Sequence, residues 1–187
     1  MMNLSRFLRR FRDNERGSIA LECVLVIPML MWAYLSMYSF FHAYRTHALN
    51  IKTAYAIGDA ISRETNPVDM AYINGMHQMA AYMSWTQPSD FAIRVTSVKY
   101  DADEDTYERD WSHVKGWVPA LDNAAVEQLR SRLPVMPDGE RVVLVETFEK
   151  YDPPFDMGLS DHEIHNFVFT RPRYAPRVCF NECGAGA

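Results

Sequence analysis

The dominant feature of the hydropathy pattern is an apolar run from Ser18 to Tyr44, SIALECVLVIPMLMWAYLSMYSFFHAY. Apart from Cys and Tyr, its only ionisable groups are Glu22 and His42, and no Lys or Arg occurs between Gly17 and Tyr44. A membrane-crossing helix needs about 20 mostly apolar residues at about 1.5 Å each, which this run exceeds. Beyond Tyr44 the helical pattern continues. Residues 45–64 hold no Pro, and Ile51, Ala54, Tyr55, Gly58 and Ile61 recur at helical spacing. The pattern predicts one helix over residues 18–64, about 70 Å long. Residues 18–44 form a transmembrane span in this reading, and residues 45–64 form a helical stalk beyond it. Pro28 should kink the span, because a helical Pro loses a hydrogen bond. The small residues Ser36, Ser39 and Ala43 offer positions where another helix can approach closely.

The pattern changes after Glu64. Asn66-Pro67-Val68-Asp69 has the composition of a helix start, with Asn66 as the cap and Pro67 at the first position. Tyr72, Ile73, Met76, Met79, Ala80 and Met83 then form a stripe that Pro88 ends. Phe91–Tyr100 predicts a strand, the acidic Asp101–Asp105 segment a loop, and Thr106–Val114 a returning strand. Asp122 caps a short helix stopped by Pro134, and Pro137-Asp138-Gly139-Glu140 predicts a turn. Val142–Tyr151 is apolar on both faces at first, as a central strand is. His165–Arg171 supplies one more strand. The fold class expected is α+β: a long N-terminal transmembrane helix, then residues 65–187 as a small domain with an antiparallel sheet packed on helices.

Composition hides this division. The chain has 187 residues, 48% hydrophobic and 23% charged, with a net charge of −5. That apolar content excludes a disordered chain, and three Cys exclude a disulfide scaffold. The mild acidity argues against nucleic acid as a partner. The charge is unevenly placed. Residues 1–17 carry five Arg against Asp13 and Glu15, so this leader is +3 and the remaining 170 residues are −8. The positive-inside rule puts the leader in the cytoplasm and residues 46–187 outside the inner membrane, in the periplasm. No small-residue cleavage site of the secretory type follows the apolar run.

The junction between leader and helix is the most informative segment. It runs Arg16-Gly17-Ser18-Ile19-Ala20-Leu21-Glu22. A carboxylate this close to an apolar span is costly and needs a reason. Cleavage after Gly17 would give Ser18 a charged amine and make Glu22 the fifth residue of the mature chain. Glu22 could then pair with that amine or a neighbour's, and sit in the first turn, where the helix dipole favours a negative charge.

This junction resembles the class III signal sequences of type IV pilins and pseudopilins, and is most similar to TadE/TadF-like pseudopilins of the tight-adherence (Tad, Flp) pilus. The likeness extends through Val24-Leu25-Val26-Ile27-Pro28, Ala54–Arg63 and Arg171-Pro172-Arg173. The residue after the glutamate, often aromatic in that group, is Cys23 here. The resemblance implies a membrane precursor cut by prepilin peptidase at Gly17–Ser18, with Glu22 serving assembly. Its partners would be the peptidase, other Tad pilins and pseudopilins, the inner-membrane assembly platform and membrane lipid. It also implies a non-enzymatic role, with no cofactor. An uncleaved, membrane-anchored periplasmic binding or sensing domain is the alternative.

Other candidates are local. Asp101, Asp103 and Asp105 match the first ligands of a calcium loop, but Thr106 and Ser112 stand where Gly and Glu are required, so an acidic hairpin loop is expected. Cys179 and Cys183, in an oxidising compartment, suggest a disulfide pinning the tail. With His162 and His165 they would otherwise make a Cys2His2 zinc set. Arg171, Arg173 and Arg177 form a basic patch. No nucleophile elbow, phosphate loop or zinc-protease helix occurs.

Overall fold

The computed structural model describes residues 18–155 and 157–183. Helix α1 spans Ser18–Ser62 and α2 spans Met70–Ser84. After a 3-10 turn at Pro88–Asp90 come strands β1 (Phe91–Asp101) and β2 (Thr106–Lys115). A short helix α3 (Asn123–Gln128) and a second 3-10 turn (Arg130–Arg132) lead to β3 (Arg141–Tyr151) and β4 (His162–Thr170). The four strands form one antiparallel sheet in the order β2-β1-β3-β4. The α+β class expected from the pattern is therefore the one observed, and the two-sided apolar run of β3 is interior.

One face of the sheet packs on α1 and α2. Ile57 and Ile61 from α1, Ile73, Ala80 and Ala81 from α2, and Phe91, Ile93, Val95, Val143 and Val145 from the strands make this core. The other face packs on α3 through Val98, Tyr107, Leu121, Val126, Val142 and Leu144. Burying an aliphatic side chain contributes roughly 1.5–3 kcal/mol, so these layers dominate the stability of the domain. Asp122 caps α3 by accepting from the Ala125 amide at 2.7 Å. The β1–β2 turn is an acidic hairpin loop: the Asp101 carboxylate accepts from the Asp103 and Glu104 amides, and Asp105 accepts from the Tyr100 hydroxyl.

Three local expectations are corrected. Helix α2 starts at Asp69, whose side chain accepts from the Tyr72 amide, and not at Asn66. The segment before it is held extended, because the Val68 amide donates to Cys179 and the Val68 carbonyl accepts from Asn181. Tyr55, placed with the apolar face of α1, points outward, while Ile57 is fully buried. Of residues 45–64, expected to project as a stalk, the helical part to Ser62 lies along β3, β4 and α2. The polar side chains Thr46, Asn50 and Thr53 are buried in that contact. A helix whose inward face carries Thr and Asn does not show its docking in hydropathy.

Candidate functional site

The N-terminal half of α1 has the opposite environment. Its large apolar side chains, from Ile19 and Leu21 through Leu30 to Phe41, are exposed, apart from the half-buried Leu35. The most apolar 18-residue window has a mean hydropathy of 1.9 and is 0% buried, so the helix is long and apolar enough to cross a membrane. Pro28 lies inside it without ending it. Contiguous apolar surface on this scale marks a membrane or protein contact. Gly17 lies outside the described residues. Ser18 opens α1, and Glu22 is exposed on it. Glu22 is the fifth residue of the helix and lies one position past the first turn, which contains no acid. The expectation that it sits in the first turn is thus corrected by one residue.

The first buried side chain along α1 is Ser39. Its cover comes from the loop between β3 and β4: Ser39 Oγ donates to the Phe155 carbonyl at 3.3 Å, and the Phe155 ring meets Tyr38 edge-on at 6.0 Å. The small face at Ser39 is therefore filled by this chain's own loop and not left open for a neighbouring helix. Three residues on, His42 Nδ1 and the Tyr151 hydroxyl are 3.0 Å apart. Above this level lies a cavity of about 380 Å³, bordered by His42, Arg45, Ser84, Trp85, Glu149 and Tyr151.

Behind the cavity is a buried polar cluster. Asn50 Nδ2 donates to Glu149 Oε2 at 2.6 Å, and Thr147 Oγ1 and Asn166 Nδ2 donate to Asn50 Oδ1 at 2.6 and 2.8 Å. The Thr86 hydroxyl donates to the other Glu149 oxygen. Burial pushes the Glu149 carboxyl above the ordinary carboxylate range, and these two neutral donors only partly offset it. An acid raised on folding stabilises the fold at pH values below its unfolded value, and that contribution is lost as pH rises toward the folded value. Glu149→Gln keeps the shape and lets Thr86 accept where it now donates. It should therefore raise stability at pH 7, with the gain vanishing near pH 4, around the unfolded carboxyl's ordinary value. Denaturant titration in detergent at both pH values checks this, and a destabilised variant at pH 7 would contradict it.

The opposite sheet face holds a second buried carboxylate, Glu146. Arg94 grips it with two bonds of 2.6 and 2.8 Å, and His165 Nε2 lies 3.0 Å from Oε1. Burial opposes its charge, but the His165 and Arg94 hydrogen bonds outweigh burial and hold the carboxyl below its usual range. Arg94 also donates to the Pro119 carbonyl and lies over the Phe148 ring, which stacks on His165 at 4.4 Å.

Cys179 and Cys183 are joined in a disulfide with Cα atoms 5.2 Å apart. The structure does not bring the two histidines of the zinc alternative to them. His165 stays with Glu146, and His162 stands beside Tyr151 and the Ser160 carbonyl. Among the described residues no group of three or more His, Cys, Asp or Glu is placed to hold a metal ion. Of the basic patch, Arg171 pairs with Glu140 at 3.0 Å and Arg173 lies 3.4 Å from Asp59 at the end of α1.

Sequence reasoning missed Glu146, Glu149 and Asn50. The signal available was the central strand: a segment apolar on both faces is covered on both, so acids later in the same strand are buried as well. No family model matches the chain, and no curated protein or solved structure is significantly similar to it.

Proposed function

We propose that the chain is a minor pilin or pseudopilin precursor of a Tad (Flp)-type pilus. Its basic leader stays in the cytoplasm, α1 crosses the inner membrane, and the sheet domain lies in the periplasm. Prepilin peptidase cuts between Gly17 and Ser18, and the mature protein joins other pilins or pseudopilins at the assembly platform. The observation that carries this reading is the junction of basic leader, Gly17 and Glu22 with an apolar helix exposed on every side. The disulfide at Cys179 and Cys183 supports an oxidising compartment for the domain. The cavity beside His42 and Arg45 favours a second reading, an uncleaved anchored binding domain.

Glu22 separates the two readings. A carboxylate in lipid is tolerated where it meets a partner, and the mature N-terminal amine of this or a neighbouring subunit supplies one. Glu22→Ala should leave the leader removed as in the wild type but strongly reduce piliation, counted by electron microscopy. Normal pili in that variant would refute the assembly role.

A further inference from the structure

Three separate parts of the chain bring aromatic and apolar side chains to neighbouring levels of α1, between Tyr38 and Arg45. The first is the helix itself, where Tyr38, Phe40, Phe41 and Tyr44 are exposed around Ser39. The second is the loop between β3 and β4, which carries Pro153, Pro154, Phe155, Met157 and Leu159 in a surface segment. Its Phe155 remains 40% exposed although it packs on Tyr38. The third is Trp85, which closes α2 in the left-handed conformation (φ 59°) that glycine usually takes. Trp85 is 84% exposed, and the Arg45 guanidinium lies 5.9 Å from the centre of its ring.

The position of these groups along α1 says what meets them. Ile19–Tyr38 is a stretch of about 20 residues, or about 30 Å of helix, which matches the hydrocarbon core of a bilayer. Domain contacts begin at the end of this stretch, with Tyr38 against the Phe155 ring and Ser39 bonded to the Phe155 carbonyl. Phe155 then falls at the hydrocarbon boundary. Arg45 lies about 9 Å further along the axis, so Trp85 falls in the headgroup layer, where amphipathic rings partition. The loop carries Asp152, Asp156 and Asp161 in sequence and no Lys or Arg, so its attraction to the surface is apolar and aromatic and not electrostatic.

We propose that the domain does not stand off the bilayer on a stalk but rests on it, with residues 152–155 and 157–161 of the β3–β4 loop and Trp85 as a second, non-helical membrane contact. The inference rests on α1 crossing a membrane. It shortens the span expected from sequence, residues 18–44, to about Ile19–Tyr38, and makes residues 39–62 part of the domain.

The test uses the full chain in vesicles of zwitterionic phosphatidylcholine carrying bromine either shallow or deep in the acyl chain. Trp85 emission is read as the difference between the wild type and Trp85→Phe, and the loop is read through the indole added by Phe155→Trp. Shallow bromine should remove most of both signals, whatever the salt concentration, while aqueous iodide quenches them weakly. Trp32, within the span, should be quenched by deep bromine. Deep quenching of Trp32 with Trp85 and residue 155 open to iodide would overturn the resting contact alone. Failure to quench Trp32 would remove the span and the contact together. Protection from iodide that rises with the protein-to-lipid ratio and is indifferent to bromine would assign the surface to a second copy, also overturning the proposal.

Discussion

Replacing Arg94 with alanine should cost the folded domain about 3–5 kcal/mol at pH 7, the usual penalty for removing one partner of a buried ion pair. Glu146 is only 1% exposed and cannot turn to water when the guanidinium is gone. Its other side-chain partner, His165, contacts one oxygen only. The variant also loses the bond to the Pro119 carbonyl that ties down the segment after β2. The loss should depend on pH with a definite sign. Glu146 in the wild type is held below its ordinary range, so it contributes stability that is present above the unfolded value and lost as pH falls through the folded one. Below both values the wild type and Arg94→Ala therefore converge, and near neutrality they differ most. Denaturant unfolding in detergent, followed by circular dichroism, measures the gap. A difference under about 1 kcal/mol at pH 7 would mean the pair is no more than a surface salt bridge.

The second large effect falls on the proposed processing of residues 1–17. Gly17→Ala should abolish removal of residues 1–17, so that only the full-length chain is found in membranes containing active prepilin peptidase. On the proposed chemistry Gly17 supplies the carbonyl side of the cut bond, and its missing Cβ leaves room for the peptidase to reach that bond. A methyl group there blocks the approach without altering α1, which begins at Ser18. Insertion and folding should be untouched, because the leader charge and the apolar run are unchanged. Removal of the leader in the variant at the wild-type rate would show that the glycine is not read.

What sequence reveals and what it hides follow from the same physics. The strands are legible because β1 and β2 flank an acidic turn and β3 opens with Val142, Val143, Leu144 and Val145, a run that only a doubly covered strand tolerates. The cap at Asp122 is legible because an acid three residues before a free amide has one geometry to adopt. The docking of residues 45–62 is not legible, because Asn50 meets Glu149 on the sheet and Thr53 accepts from Ser84 on α2, and apolar periodicity does not register such polar contacts. The cap at Asp69 is hidden for a related reason. The choice between Asn66 and Asp69 is made by the distant tail, which takes both backbone groups of Val68. Glu146 and Glu149 look like solvated acids until the strand order encloses them.

The average that makes this chain resemble a mildly acidic soluble protein is the sum of a basic leader, an exposed apolar helix and an acidic folded domain. Mass spectrometry of the N-terminus, on protein from membranes with and without active prepilin peptidase, tests that division. The mature chain should begin at Ser18 only where the peptidase is active. An intact N-terminal segment of residues 1–17 in its presence would contradict the reading of this chain as a pilin-like precursor.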